Sequence, residues 1–496
     1  MKFYDVIIIG GGVVGCLTAR ALSRYNLRIL LIEKEADIGM GASSANSAII
    51  HAGHDPVPGT LKALLNVRAN PMWDALAHEL DVPFKRNGAY VVAVGAEQFT
   101  ALDGLLQRGK QNGVPCEIIS RDDMLHREPR LNPDVTGALF TPTAGVVDTF
   151  NITVAAAENA IQNGVEVLLD TRFDDFLWEG DEIAGVKTSR GSFCSRWVVN
   201  AAGMYCDDVM HKAGIRPEFN ITPRRGEYYV LDQADFYTDQ VFFPVPSSTS
   251  KGILVLASTH GNVLVGPNSQ PVENKADASV THSGLEEIWN GARQLIPELN
   301  PRHIIATFAG LRATGNAPSQ TPGVDYSHDF IVEIPANRRG LVNLGGIESP
   351  GLTSAPAIAE MVVDLLKDAG LMLTERDGWN PLRSARPRFS ALSRTEQAEL
   401  IHRDPRYGRV VCRCEMVTEG EIVAAIHAPL PAHTYDAIKR RTWLGTGRCL
   451  GSFDMPRVVD ILARELGVSP CEITKKGAGS EFLVRRTKAV EVQHDA

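Results

Sequence analysis

The sequence predicts an α/β fold: a parallel sheet flanked by helices, an antiparallel sheet inserted into it, and a small helical domain toward the C-terminus. Three observations predict it. Met1 to Lys34 hold an apolar run, Tyr4 to Ile9, then Gly10, Gly12 and Gly15 in G-x-G-x-x-G spacing, a helical pattern from Val13 to Arg24, and a second apolar run ending at Glu33. Residues from about 215 to 335 are rich in strand patterns, among them Glu227 to Leu231, Ile253 to Ala257 and Val263 to Pro267. A compact stretch from Arg409 to about Val468 stands apart and carries three of the cysteines, Cys412, Cys414 and Cys449.

The N-terminal pattern has a physical reading. A short β-branched run without alternation suits a strand buried on both faces. Gly10 permits a tight turn, Gly12 lets a pyrophosphate approach the backbone, and Gly15 lets helix and strand pack closely. Val13 and Val14 open the helix, whose N-terminus favours anionic phosphates. Glu33 can accept hydrogen bonds from an adenosine ribose, and its charge disfavours the 2′-phosphate of NADP.

Composition narrows the classes. The chain has 496 residues, 44% hydrophobic and 22% charged, as in soluble globular proteins of two or three domains. A net charge of −9 argues against non-specific nucleic-acid binding. No apolar stretch reaches spanning length, and no secretory leader is evident, so a cytoplasmic location is expected, with peripheral membrane association left open. In a reducing compartment, clustered cysteines point to metal rather than to disulfides.

Further along, Ser43, Ser44, Asn46 and Ser47 form a small, polar loop suited to lying against a ligand, although an ordinary turn would look similar. Thr60 is expected to cap a helix through Val67. The strand Trp197 to Asn200 runs into Ala201, Ala202 and Gly203, where a second close backbone approach is expected. Gly345, Gly346 and Ile347 form another glycine turn. Gly351, Leu352 and Thr353 then lead into a helix over about 355–367. Residues 376–408, rich in Arg, Pro and Ser, read as a linker.

These segments together resemble the D-amino-acid-oxidase-like family of FAD-dependent oxidoreductases. The glycine turn through Glu33 and Lys34, the 42–47 loop, Asn200 to Gly203 and Gly345 to Thr353 carry the likeness. His51-Ala52-Gly53, Pro58 to Lys62, Arg225 to Tyr228, His260 to Leu264 and Phe308 to Arg312 place it nearest the glycerol-3-phosphate and L-2-hydroxyglutarate dehydrogenase-like branch. The resemblance implies an FAD-binding Rossmann-type domain with an inserted antiparallel substrate domain, hydride passing to flavin N5. Nucleotide-binding parts would cover about 1–80, 145–215 and 335–375, and substrate parts about 81–144 and 216–334.

Residues 409–470 resemble a bacterioferritin-associated-ferredoxin-type [2Fe–2S] domain, followed by a polar tail over 471–496. Cys412-Arg413-Cys414, Lys439 to Thr442 and Gly445 to Gly451 carry that likeness. The family's fourth cysteine is here Asp454. Either Asp454 is an unusual ligand, or the cluster is labile or absent, since thiolates are the usual ligands.

Oxidising an alcohol needs a base and an anchor for the substrate's charge. Arg312 is the expected anchor, with Lys62 and Arg225 as further anion-binding candidates; His51, His54 and His260 are the candidates for the base. The expected substrate is a small anion: glycerol 3-phosphate first, then L-2-hydroxyglutarate, with an amine or amino acid also open. Electrons would leave through the iron–sulfur domain to another redox subunit or carrier. A rival reading is an electron-transfer subunit with a degenerate substrate site.

Overall fold

The computed structural model describes residues 2–217, 219–233, 237–246, 252–316 and 328–485. The end of the expected polar tail lies outside the described residues. The chain divides into two compact units, one of Met1–Lys34 with Ile38–Ser384, the other beginning at Ala385 and taking in Glu35–Asp37.

The first unit is built on two large sheets. In one, the strand Phe3–Ile9 lies between Ile29–Ile32 and Gly191–Asn200, parallel to both. Glu166–Leu168 and Leu341–Gly345 extend the parallel set on either side. The expected strand–helix–strand opening is present, with the helix at Val13–Leu22. Its register positions the site. Ile9 pairs with both Ile32 and Asn200, and Asn200 pairs with Asn343. Three strands therefore end level and the fourth runs two residues further, so Gly10, Glu33, Ala201 and Gly345 collect along one C-terminal edge, where open α/β sheets bind ligands. A buried amide contact, Asn200 Nδ2 to Asn343 Oδ1 at 2.9 Å, ties two of these ends together.

The second sheet has nine strands and includes Ala89–Val94, Val135–Thr141, Ile221–Leu231, Val263–Val265 and Ile304–Gly315. It is antiparallel as expected except where Phe242 to Pro244 run parallel to Tyr90 to Val92. In its Val241–Pro244 to Val263–Val265 part both faces are apolar: Phe242, Val255 and Val265 are buried on one, and Val241, Leu254 and Leu256 on the other. Its longest pairing sets Ile221–Leu231 against Ile304–Gly315, matching Tyr228 to Phe308, Gly226 to Gly310 and Arg224 to Arg312.

Two expectations are corrected. The helix expected over 355–367 spans Gly351–Asp368, so Gly351, Leu352 and Thr353 are its first turn rather than a lead-in. The stretch 376–408 is not a bare linker: Arg394–Arg403 is a helix, closed by a capping box between Ser393 and Glu396. Only Leu400 is buried on it, so it lacks the apolar stripe that announces a helix in sequence.

The second unit packs the helices Glu419–Ile426, Tyr435–Thr442 and Met455–Leu466 around Ile422, Ile438, Val458, Ile461 and Leu462. Arg440 and Arg441 grip the buried carboxylate of Asp37 at 2.7 and 2.8 Å. Among the described residues no helix is long and apolar enough to cross a membrane.

Candidate functional site

At the glycine edge, Gly10 has φ +110°, and a Cβ there would collide with the carbonyl of Ala201. A Cβ on Gly15 would collide with the carbonyl of Gly10, so the helix reaches its strand only because residue 15 has no side chain. Glu33 Oε2 accepts the Gly11 N–H at 2.7 Å, and Ser43 Oγ accepts the Val13 N–H at 2.9 Å. Carboxylate, hydroxyl loop and helix N-terminus thus converge on one turn. Val14 is half-buried in the helix's first turn. Space remains here: a Cβ at Gly41 or Gly203 would meet nothing within 4 Å. The donor set and the open space fit an adenine dinucleotide.

The neighbouring residues hold this edge in shape. Asn46 Nδ2 donates to the carbonyls of Ala42 and Ser43, and its Oδ1 accepts the Ala48 N–H. Ser44 Oγ reaches the Gly41 carbonyl, and Lys34 Nζ sits 4.0 Å over the Tyr205 ring. Ala201 N–H returns to the Ile9 carbonyl, and Ala202 opens the turn containing Gly203. Gly346 bends the chain at φ +62° before Ile347. Thr353 Oγ1 accepts the His51 N–H, which draws the 351–353 turn to His51.

The strand pairing then decides among the basic candidates. Side chains alternate faces along a strand. Gly226, Tyr228, Phe308, Gly310, Arg312 and Thr314 share one face; Arg225 and Glu227 share the other. The first face meets the 42–47 loop: Ser47 Oγ lies 3.0 Å from Tyr228 Oη, and a Cβ on Gly310 would collide with the Ala45 carbonyl. Gly310→Ala is therefore expected to push this loop outward and lower the flavin retained after gel filtration, a loss read by absorbance at unchanged protein yield.

On that face Arg312 Nη2 donates to the Asn268 carbonyl at 2.6 Å. Thr314 Oγ1 donates to Glu348 Oε2 at 2.8 Å, and the almost fully buried Lys62 Nζ donates to Glu348 Oε1 at 3.0 Å. Burial alone would raise the Glu348 carboxyl, but Lys62, Thr314 and Arg312 outweigh it and hold the group below its ordinary value. Burial raises the Tyr228 hydroxyl, partly offset by Arg312 and Ser47. His51 Nε2 lies 3.5 Å from Ser349 Oγ, next in chain to Glu348. His51 also lines a cleft with His54, Asp55, Leu105 and Phe243. The structure thus sets Lys62 and Arg312 beside Glu348, with His51 against the next residue, Ser349.

Two candidates lie apart from this cluster. Arg225 faces away from it: its Nη1 donates to Asp277 and Ser279 at 2.9 and 3.0 Å, and Glu227 lies 3.1 Å from its Nε. It docks the segment leading into the helix His282–Leu295. His260 does not open a strand. It sits in the turn between Val255–Ala257 and Val263–Val265. Val263 pairs with Leu231, seven residues along the strand from Arg224, the partner of Arg312. At ~3.3 Å per residue this places the turn more than ~20 Å from Arg312. Conversely, Glu348 and Tyr228 were not singled out from sequence. The signal for Glu348 was a lone acid in an apolar, glycine-rich turn, which needs a buried cation.

In the second unit Cys414 and Cys449 place their Sγ atoms 3.8 Å apart. The Gly445 N–H donates to the buried Cys412 Sγ at 3.5 Å, and Asp454 lies beside that thiol. Burial pushes the Cys412 thiol up to about 12, so a metal ion must displace its proton. Among the described residues no three His, Cys, Asp or Glu side chains converge at the spacing one metal ion needs. A two-iron cluster instead takes its protein ligands in pairs, and two thiolates on one tetrahedral metal at ~2.3 Å stand ~3.8 Å apart. The Cys414–Cys449 pair fits that requirement.

A dinucleotide-type edge on a parallel sheet, with an antiparallel sheet against its 42–47 loop, suits a flavin-type oxidoreductase. The family model described as FAD dependent oxidoreductase matches residues 5–365, and that of the BFD-like [2Fe-2S] binding domain matches residues 410–464. The chain belongs to the FAD dependent oxidoreductase family, with FAD as cofactor and a [2Fe-2S]-binding-type domain behind it. It is 43% identical to glycerol 3-phosphate dehydrogenase of Caloramator mitchellensis over 99% of this chain and 100% of that one. It is 32% identical to glycerol 3-phosphate oxidase of Mycoplasma genitalium over 77% of this chain and 98% of that one. The solved L-alpha-glycerophosphate oxidase of Mycoplasma pneumoniae, with FAD bound, superposes at a TM-score of 0.71 and 32% identity, covering 77% of this chain and 98% of the other. The protein is an enzyme, an FAD-dependent oxidoreductase similar to glycerol-3-phosphate dehydrogenase.

Proposed function

We propose that the enzyme oxidises the secondary alcohol of sn-glycerol 3-phosphate and passes the electrons on through its C-terminal domain to a partner subunit or carrier. The observation that carries this reading is the charge balance around Glu348. Lys62 neutralises that carboxylate, so the guanidinium of Arg312 is left to meet an anion. An arginine fork suits a phosphate with paired hydrogen bonds. The full-length likeness to a glycerol 3-phosphate dehydrogenase agrees with it.

In this reading Gly10, Gly12, Gly15 and the first turn at Val13 and Val14 hold the pyrophosphate, and Glu33 the ribose. Ser43, Asn46, Ala201, Gly203, Gly345, Gly346 and the helix at Gly351 complete the cradle. FAD, when bound, supplies the hydride acceptor. Arg312 binds and orients the phosphate, Tyr228 closes the polar end of the pocket, and His51 Nε2 takes the hydroxyl proton. The second unit supplies a one-electron exit. The cytoplasm is the proposed place of this work.

Anaerobic mixing of the purified chain with sn-glycerol 3-phosphate is expected to bleach the flavin within a turnover. L-2-hydroxyglutarate and amino acids at the same concentration are expected to leave it yellow. Bleaching by the hydroxy acid alone would overturn the substrate, and no bleaching by any of them would favour a subunit with a degenerate site.

A further inference from the structure

We propose that Asp454 is the fourth protein ligand of the iron–sulfur cluster, through Oδ2, completing a site of three thiolates and one carboxylate with Cys412, Cys414 and Cys449. This rests on reading those cysteines as cluster ligands and goes beyond it by assigning the position where the family's cysteine is missing.

The first observation is a buried carboxylate oxygen that makes no hydrogen bond of good geometry. Asp454 is 1% exposed. Its Oδ1 accepts the Tyr435 hydroxyl at 2.6 Å, Oδ2 is buried without such a bond, and the donor beside the carboxylate is the Cys412 thiol, whose proton a bound metal displaces. Lys439 is close enough for the two charges to be felt, yet donates no hydrogen bond to that oxygen. A buried carboxylate oxygen is strongly disfavoured unless a donor or cation faces it. A ferric ion is such a cation, and carboxylate oxygen is an acceptable, harder donor for iron.

The second observation is the pairing of donors. Cys414 and Cys449 stand at the separation of two thiolates on one iron. Cys412 and Asp454 lie side by side, which supplies a second pair for a second iron. The third is the cradle around Tyr435. Gly445 and Gly451 have φ +71° and +85°, and a Cβ on either would collide with the Tyr435 hydroxyl. That hydroxyl passes between two glycines to fix Oδ1, leaving Oδ2 as the ligand atom. A carboxylate serving only as a helix cap would bond backbone amides, and Asp454 makes no such side-chain bond to the helix it precedes.

On assembly the three thiols give up their protons, and the ligand set is three thiolates and one carboxylate. Four monoanionic ligands around a [2Fe–2S]2+ core carry the same total charge as four thiolates. One electron from dithionite reduces one ferric ion.

The test uses the full chain, purified anaerobically and reconstituted with ferrous iron and sulfide. The wild type is expected to hold about two irons and two acid-labile sulfides per chain. After reduction it should show a spin-one-half resonance. D454C is expected to keep that content but to move the g-values and lower the reduction potential, because thiolate is the stronger electron donor. D454A is expected to lose roughly tenfold in iron and sulfide while its circular dichroism and FAD content stay unchanged. Y435F is expected to retain the cluster with a shifted potential, which keeps the assignment testable if D454A misfolds. The proposal is overturned if D454A retains the cluster with wild-type g-values. It is equally overturned if only D454C takes up iron, or if Cys414 and Cys449 are found as a disulfide with no iron. Flavin bleaching by substrate is read separately in the first unit, so failure here leaves the substrate assignment standing and the reverse also holds.

Discussion

Arg312→Met is expected to retain FAD and to lower kcat/KM for glycerol 3-phosphate by roughly 30- to 5,000-fold. The range follows from the ~2–5 kcal/mol that removal of one partner from a desolvated, hydrogen-bonded charge pair costs. Arg312→Lys keeps the charge and loses the fork, so it is expected to recover only part of the loss. Steady-state rates with an artificial acceptor, beside the rate of flavin bleaching, would measure both. The adjacent arginine is the control. Arg225 is on the opposite face and holds Asp277 and Ser279. Arg225→Met is therefore expected to lower the unfolding midpoint while leaving kcat/KM of the folded enzyme within about threefold. A large catalytic loss confined to R225M would reverse the assignment of faces.

Lys62→Met is expected to destabilise the first unit by about 3–5 kcal/mol, because it strands the Glu348 carboxylate in the interior. Urea unfolding followed by flavin release reads this unit directly. Replacing both residues, K62M with E348L, is expected to recover much of the loss, since no charge is then left unpaired. The pH dependence has a definite sign. Glu348 titrates below its ordinary value of 4.5 in the folded protein. Its contribution is thus complete above about pH 4.5 and fades as pH falls toward the folded-state value. In K62M burial dominates instead and the carboxyl rises, so the gap between wild type and variant is expected to be widest near neutrality and to narrow on acidification. A gap that widened in acid would contradict the pairing.

Much of this organisation was legible before any coordinates. The dinucleotide edge was readable because its determinants are local: a turn that excludes side chains, a helix start and an acid at the end of the next strand. The register that sets Ile9, Ile32, Asn200 and Asn343 level joins segments as much as about three hundred residues apart, yet each announced itself after an apolar run, three by small residues and the one ending at Ile32 by Glu33. The arginines were harder. Arg225 and Arg312 look alike as arginines within two positions of a glycine, and only the cross-strand match of Arg224 with Arg312 shows that they point to opposite faces. His260 failed for a related reason: the hairpin that carries it places it at the wrong end of a strand. Arg394–Arg403 was hidden by its polarity, although Ser393 and Glu396 were a readable capping signal. Asp454 was conspicuous as a departure, but its lone oxygen became visible only with Tyr435 in place.

The level ends of the parallel strands also bear on how the enzyme matures. The edge proposed to receive the cofactor is assembled from the beginning of the chain, from its middle and from a strand ending at Gly345. A ribosome must therefore have released some three hundred and fifty residues before the cradle can close, and early synthesis leaves the N-terminal glycine turn waiting for neighbours. Such distant pairings slow folding. Flavin uptake is therefore expected late in biogenesis, and a prematurely terminated chain lacking the Leu341–Gly345 strand is expected to purify colourless.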